Sequence, residues 1–358
     1  MTTFSTPTFS VQYNHSTIDD SSSMTNISSY VTGIATHHAH DADCGTCTLT
    51  MHAYPSGFTE NDHVVVTINS ATVFNGRMAR PAVQYYDSWQ FSCEDLGANL
   101  AFLWGGEGTD PELDALKNRV YTSQTDGAII TNIAEAMAVP VSLHSITDAG
   151  KTLATVYDIV LRVGQSGWSL IRGDQGIDII FGYWTACNKL GVVKRRALAT
   201  AGSADFTAVE GTNILLGSNR QPLGTESIIN RYIVYGYDTE LGTIGGVGVG
   251  DYALSNSNIP TPPTSHTATI RNPLIEDDTQ ALATATLQVG LHNFPYDETN
   301  LVLLGDSSID IGQTVSITST TGPAKLDHSG DKRFVAAVEH IYSSSTGYIT
   351  KVKAIRTE

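Results

Sequence analysis

The segment Asn230-Arg231-Tyr232-Ile233-Val234-Tyr235-Gly236 decides how this chain folds. After the polar pair, two aromatic residues bracket two β-branched ones, the composition of a strand packed on a pleated surface. The next residues carry many breakers. Leu241-Gly242-Thr243-Ile244-Gly245-Gly246-Val247-Gly248-Val249-Gly250 leads on to Ile259-Pro260-Thr261-Pro262-Pro263, so residues 241–263 read as one long loop. A loop of that length inside a domain is usually functional or flexible. The chain then enters a helix through Arg271-Asn272-Pro273-Leu274-Ile275; from Asp278 it is alanine-rich, with Ala281, Leu282, Ala285, Leu287 and Val289 along it. Strands follow at Leu301-Val302-Leu303-Leu304-Gly305, across Ile309 to Ile317, and at Phe334-Val335-Ala336-Ala337-Val338-Glu339-His340.

Upstream, the character changes. Val192-Val193-Lys194-Arg195-Arg196-Ala197-Leu198 reads as a strand, and its basic triplet as a strand edge or a solvated face. Before it, Ile177, Ile180, Phe181, Trp184 and Cys187 recur at helical spacing, with Gly191 placed as a C-cap. A helix start at Ser166-Gly167-Trp168 is weakened by Gly173 and Gly176. Ile129, Ile130, Ile133, Ala134 and Met137 form a clearer helical stripe, opened by Thr125-Asp126 and followed by Pro140. Trp104-Gly105-Gly106-Glu107-Gly108-Thr109-Asp110-Pro111 reads as a linker.

The first hundred residues are strand-like. Cys47-Thr48-Leu49-Thr50-Met51 alternates loosely, Pro55-Ser56-Gly57 signals a turn, and His63-Val64-Val65-Val66-Thr67-Ile68 is rich in β-branched residues. Val73-Phe74-Asn75-Gly76-Arg77-Met78 and Trp89-Gln90-Phe91-Ser92-Cys93 continue the pattern. Short strands separated by frequent turns suggest a small barrel or sandwich.

Composition narrows the function. At 358 residues, two or three domains are expected. The chain is 41% hydrophobic but only 16% charged, with a net charge of −16, so it lacks the basic face that gripping nucleic acid by its phosphates requires. An acidic balance suits a surface past which DNA slides, and equally suits plain solubility. No apolar run is long enough for a transmembrane helix, and the N-terminal residues do not read as a signal peptide. Four cysteines do not make a disulfide framework in a chain of this length.

One cluster has metal-ligand character: His37, His38, His40, Cys44 and Cys47, with Asp41 and Asp43 among them. A structural zinc site wants a second ligand pair at a suitable distance, and neither His52 nor His63 supplies a recognised spacing, so the segment reads as a polar loop leading into a strand. No cofactor is implied. Gly246-Val247-Gly248-Val249-Gly250 has the wrong spacing for a dinucleotide loop. Acidic pairs such as Glu94-Asp95 or Asp277-Asp278 have no flanking motif for glycoside hydrolysis, and there is no Gly-x-Ser-x-Gly elbow.

Several segments recur in a known order. Val73-Phe74-Asn75-Gly76-Arg77, the helix Ala128 to Met137 with Val139-Pro140-Val141, Gly164-Gln165-Ser166-Gly167-Trp168-Ser169-Leu170-Ile171, and Asn230-Arg231-Tyr232-Ile233 lie co-linearly along nearly the full length. In this order the chain resembles the central hub proteins of phage tails, including baseplate hubs of contractile phages and the matching part of type VI secretion spike proteins. It departs from them after Trp168, where Gly173-Asp174-Gln175-Gly176 breaks the usual helix.

The resemblance implies a mainly β protein with α (α+β): two small β-barrel-like tube domains, residues 1–105 and 206–358, joined by a helix-containing middle domain, 106–205. It implies a structural virion component and no enzyme. Three copies would form a hub ring at the distal end of the tail, adapting its six-fold tube to a three-fold tip and lining the DNA channel. Expected partners are the other two copies of the homotrimer, a tail tube or distal tail protein above, and a spike or tip protein below. DNA and a tape-measure protein would pass through the lumen without sequence-specific binding. Assembly in the host cytoplasm, and no lysozyme, peptidase or needle repeat behind the second β-domain, complete the expectation. Phe74 and Trp89 are expected to anchor the first barrel, Trp168, Ile180, Phe181 and Trp184 the middle core, and Asn230 and Arg231 to fix a strand start by polar contacts. Three alternatives remain, one of them another symmetric ring protein of the same tail, such as a tube-to-tip adaptor. A carbohydrate- or receptor-binding tail-tip protein would use an aromatic platform at Tyr85, Tyr86 and Trp89; a metal-dependent cell-wall hydrolase would need a metal on His37, His38, His40 or Cys44.

Overall fold

The computed structural model describes residues 6–16, 18, 23–105, 119–150, 152–153, 159–162, 164–173, 175–198, 203–215, 223–224, 229–239, 242–249, 267–292, 296–318, 332–345 and 347–356. The first strands follow the β-branched pattern: β1 (Phe9–Asn14), β2 (Thr25–Asn26), β3 (Val31–Ala39), β4 (Thr46–Met51), β5 (His63–Ile68), β6 (Ala71–Met78), β7 (Val83–Tyr85) and β8 (Ser88–Glu94). Asn69 and Ser70, both at positive φ (49° and 66°), form the two-residue turn between β5 and β6, the twist that a tight hairpin needs. Alternate residues bury a core of Val11, Leu49, Val64, Val66, Phe74 and Phe91, all fully enclosed. The short helix α1 (Gly97–Ala101) leaves this unit.

The middle segment contains β9 (Arg119–Tyr121), β10 (Gln124–Thr125), helix α2 (Asp126–Ala136), β11 (His144–Ser145), β12 (Thr152–Leu153), β13 (Ile159–Leu161), helices α3 (Gly167–Ile171) and α4 (Ile177–Phe181), β14 (Tyr183–Cys187) and β15 (Val193–Ala197). Thr125 caps α2 through its side chain, as its position before the apolar stripe predicts. The stripe Ile129, Ile130, Ile133 and Ala134 is fully buried with Trp168 and Ile171. One expectation fails here. Residues 183–187 form a strand rather than the second half of a helix, because Gly182, at φ 64°, turns the chain left-handed after Phe181. Gly191 lies in the β14–β15 connection rather than at a helix end.

The last third holds β16 (Phe206–Val209), β17 (Leu223–Gly224), β18 (Arg231–Thr239), β19 (Gly242–Val249), β20 (Thr267–Arg271), helix α5 (Asp278–His292), β21 (Tyr296–Leu304), β22 (Thr314–Thr318), β23 (Lys332–Ser343) and β24 (Gly347–Arg356). The reading of 241–263 as one loop is corrected: 242–249 are a strand antiparallel to β18, and 241 and 250–263 lie outside the described residues. The glycines serve packing here. A Cβ on Gly246 would collide with the backbone of Ala281 and Leu282, so its absence lets β19 lie directly against α5. The strand expected over 309–317 begins only at Thr314, after a turn in which Gly312 takes φ 77°.

The two strand-rich ends of the chain share one sheet. Its path runs β17-β21-β24-β23-β3-β4-β8-β6-β5-β1-β2, with β22 and β16 branching from β23 and β7 from β8, fourteen strands among the described residues. The sheet is open along this path, and isolated bridges at Glu210↔Ile214 and Ile214↔Leu303 carry the end of β16 back to β21. The whole is mainly β with some α. Among the described residues no helix is long and apolar enough to cross a membrane.

Candidate functional site

No described group of side chains has catalytic geometry; the organised chemistry lies where the middle segment grips the shared sheet. Helix α3 is capped by Ser166, whose Oγ accepts from Ser169 N–H. It lies close to α1 because Gly167 has no Cβ, which would press on Leu100. The second residue of the helix, the buried Trp168, donates from Nε1 to Asp43 O (2.6 Å) and Gly97 O (3.0 Å). Four residues later Arg172 stacks on that indole, 3.9 Å from the ring centroid. Its guanidinium donates to His40 O (2.6 Å), Ala42 O (2.7 Å) and Asp43 Oδ1 (3.0 Å). A single short helix thus holds the 40–43 loop, which follows β3.

A second node lies on one face of β15. Arg195 is 1% exposed, donates from Nε to Asp178 Oδ1 (2.8 Å) and from Nη1 to Thr147 O (3.0 Å), and pairs with Asp126. Its guanidinium lies 4.2 Å from the centre of the Tyr183 ring. Asp126 opens α2 and Asp178 stands in the first turn of α4, so one cation ties two helix starts to a strand. Burial pushes the Asp178 carboxyl above its ordinary range, and Arg195 offsets only part of that rise. The expectation of a strand edge or solvated face at Lys194-Arg195-Arg196 is corrected for the edge and for Arg195: β15 is the central strand of β11-β15-β14 and Arg195 is buried, while Lys194 and Arg196 on its other face are only half-buried.

The seam between β3 and β23 is the third node. His37 and Lys351 stand directly across from Glu339 on its two neighbouring strands. His37 Nδ1 lies 3.5 Å and Lys351 Nζ 3.0 Å from its carboxylate oxygens. The hydrogen bond from His37, then that from Lys351, holds Glu339 down to about 2 against the opposing effect of burial. On the other side of the sheet His340 is buried, its Nδ1 2.8 Å from Tyr348 Oη and its Nε2 3.2 Å from Ile309 O, and burial pushes it down to about 3.

These contacts disperse the candidate metal ligands. His37 faces Glu339. His38 is buried on the opposite side of β3, with Nε2 3.3 Å from Val73 O. His40 meets Trp184 edge to face at 3.9 Å between centroids, and burial pushes it down to about 2. Cys44 is half-buried and pushed up to about 12, chiefly by burial. Cys47 is buried opposite Cys93, and all four cysteines are free thiols. Among the described residues no three His, Cys, Asp or Glu side chains come together as a ligand set.

The expected core residues occupy separate places. Phe74 is fully buried in the first strand-rich unit, where Trp89 is half-buried and edge-on to Tyr54 at 5.0 Å. Trp168 packs with α2, and Ile180 with Tyr232, Val234 and the buried face of α5. Phe181, half-buried, touches both groups. Trp184 packs with Phe334 and Ala336. Asn230 Oδ1 and Arg231 Nε have no hydrogen-bond partner among the described residues; the start of β18 is held by backbone pairing of Arg231 with Val249 and Thr267. Sequence reasoning missed Arg172, Arg195 and Glu339 as organising residues. Only Arg172 left a local signal, its spacing of four from Trp168.

No family profile matches this sequence, and no curated protein does. Solved structures do match in fold. The 43 kDa tail protein of prophage MuSo2 from Shewanella oneidensis superposes with a TM-score of 0.68 at 13% identity, over 98% of each chain. A tail protein from Neisseria meningitidis gives 0.67 at 11% identity, over 98% of this chain and 97% of that one. A prophage tail protein from Listeria monocytogenes gives 0.57 at 8% identity, over 96% and 94%. The chain has the fold of these tail proteins from end to end.

Proposed function

We propose that this protein is a structural component of a phage tail, and that it works as a trimeric hub ring at the distal end of the tail. The observation that carries the reading is the agreement in fold with two tail proteins over 97–98% of their lengths. The architecture is compatible with the role. One chain presents two strand-rich units, proposed as residues 1–105 and 206–358, on a sheet made continuous by β3 and β23. Three such chains would offer six similar units to a six-fold tube and three-fold symmetry to a tip. Ring closure would also cover strands at the ends of the sheet path, which are otherwise a liability for uncontrolled pairing.

In this role the partners are two further copies, a tube or distal tail protein on one side and a spike or tip protein on the other. The net charge of −16 suits a lumen through which DNA and a tape-measure protein pass. The protein would reside in the virion after assembly in the host cytoplasm. Light scattering of the native protein tests the ring: a mass of three times 38.3 kDa is expected, and a stable dimer would overturn the three-fold reading.

A receptor- or carbohydrate-binding role has one observation in its favour. Tyr85 is half exposed and Tyr86 fully exposed, with φ 42°, where β7 turns into β8. Glycan-array binding that disappears in a Tyr85→Ala, Tyr86→Ala variant would favour it. The hydrolase reading has lost its premise with the dispersal of His37, His38, His40 and Cys44.

A further inference from the structure

Two of the four cysteines stand directly opposite each other. Cys47 of β4 pairs in register with Cys93 of β8. Both are 1% exposed and belong to the core of the first strand-rich unit. Directly opposed residues of an antiparallel pair point to the same face, so the two thiols face each other on the core side of the sheet. The backbone pattern fixes their spacing. Asp95 N–H donates to Gly45 O at 3.0 Å, which makes 45 and 95 a hydrogen-bonded pair. Such pairs recur at every second residue, so Cys47 and Cys93 form the next one, with Cα atoms about 5.5 Å apart.

Disulfides span Cα separations of about 4.4–6.8 Å, most often about 5.5–6 Å. Closing one here requires the two Cβ atoms to approach by about 1 Å. Strand β8 can yield by that much, because on its other edge it is held near Cys93 by a short run, the pairing of Arg77 and Met78 of β6 and the bond from Ala79 N–H to Ser92 O. The other two cysteines lack such an arrangement. Cys44 lies in the loop before β4, and Cys187, at the end of β14, faces Val193. All four are thiols in the structure.

We propose that Cys47 and Cys93 are a redox site that closes to a cross-strand disulfide under oxidising conditions. A small external disulfide, such as oxidised glutathione, is the oxidant. The thiolate of one cysteine attacks it and releases one glutathione; the thiolate of the other attacks the mixed disulfide and releases the second. Two protein thiols become one S–S bond, and their two protons and two electrons leave with two molecules of reduced glutathione. Burial governs the rate. It pushes the Cys93 thiol up to about 12 and Cys47 well above its ordinary range, so the reaction waits on local opening of β8 from β4. Once formed, the bond encloses β5, β6 and β7 in one covalent loop, which restrains the unfolded chain. Thiols persist in a reducing cytoplasm and disulfides outside it. The site stands independently of the hub reading; only the moment of oxidation, on release from the host cell, rests on that reading.

The test incubates the full chain with oxidised glutathione, in native buffer and in urea below the unfolding midpoint, and reads it by thiol alkylation and mass spectrometry of unreduced peptides. Loss of two of the four alkylatable thiols and a peptide linking Cys47 to Cys93 are expected. The rate should rise about tenfold or more in urea, because opening is the slow step. Cys47→Ala and Cys93→Ala should each abolish the link. A chain carrying Cys44→Ala and Cys187→Ala should keep it, and this variant decides the pairing even if a substitution in the core unfolds the chain. Four thiols that stay alkylatable in both buffers would overturn the proposal. A link between Cys44 and Cys47 in its place would do the same, as would a glutathione adduct on Cys47 or Cys93 that never resolves to the protein disulfide.

Discussion

Arg172 sits over the Trp168 ring, 3.9 Å from its centroid, and both side chains direct donors at the same loop, residues 40–43. The stack orients the guanidinium fork, so the Arg172 hydrogen bonds and the indole contacts act as a unit. Arg172→Ala should therefore cost about 1–3 kcal/mol, since three acceptors lose a charged donor. Arg172→Lys should recover only part of this, because an ammonium cannot reproduce the planar fork. Urea unfolding of the three proteins measures both; full recovery by lysine would show that charge alone matters.

Arg195 compensates two buried carboxylates at once. Arg195→Met removes the cation and leaves Asp126 and Asp178 enclosed, which should destabilise the fold by about 3–5 kcal/mol. Adding Asp126→Asn and Asp178→Asn to Arg195→Met should restore much of that loss, because no uncompensated charge then remains. Denaturant midpoints of the single and triple variants decide it. A triple variant as unstable as Arg195→Met would mean that packing, rather than charge, sets the cost.

Glu339 makes the seam sensitive to acid. Its folded value of about 2 lies below the ordinary 4.5, so its contribution is complete above about pH 4.5 and fades as pH falls toward 2. The side chain is 35% exposed, and solvent screening keeps the effect modest. Glu339→Gln should flatten the pH dependence of stability across that window and reduce its dependence on salt. Thermal melts of both proteins from pH 5 to pH 2 provide the comparison, with parallel curves counting against the seam pair.

Gly246 sets the distance between β19 and α5. Gly246→Val would drive a side chain into the helix backbone and should cost about 1–3 kcal/mol, the usual penalty for overpacking. Gly105→Ala, where an added Cβ meets nothing within 4 Å, is the matched control and should be close to neutral. Hydrogen exchange would localise the loss in Gly246→Val to β18, β19 and α5.

Much of the fold was legible because it rests on local patterns. The β-branched run at His63–Ile68, the Thr125 cap and the helix after Asp278 all declare themselves within a few residues. The failures have specific causes. Glycines in β19 were read as breakers, although their lack of a side chain is what lets the strand meet a helix. Trp184 matched a helical spacing by coincidence, and a single left-handed Gly182 overrode it. The burial of Arg195 depends on acids 17 and 69 residues away, a relationship that no window of sequence contains. The three polar nodes share this property, since each is assembled from segments far apart in the chain.

The β3–β23 seam places Thr36 beside His340, 304 positions apart. During synthesis at about 5–20 residues per second, β3 leaves the ribosome roughly 15–60 s before its partner exists. Over that interval the edge of β3 opposite β4 lacks its native partner and is open to a strand from another nascent chain. Loop closure over so long a separation is also slow. The seam is therefore a timing constraint on production of the protein: the first strand-rich unit waits with one side incomplete, and slower translation of the middle segment lengthens the period in which it can misassemble.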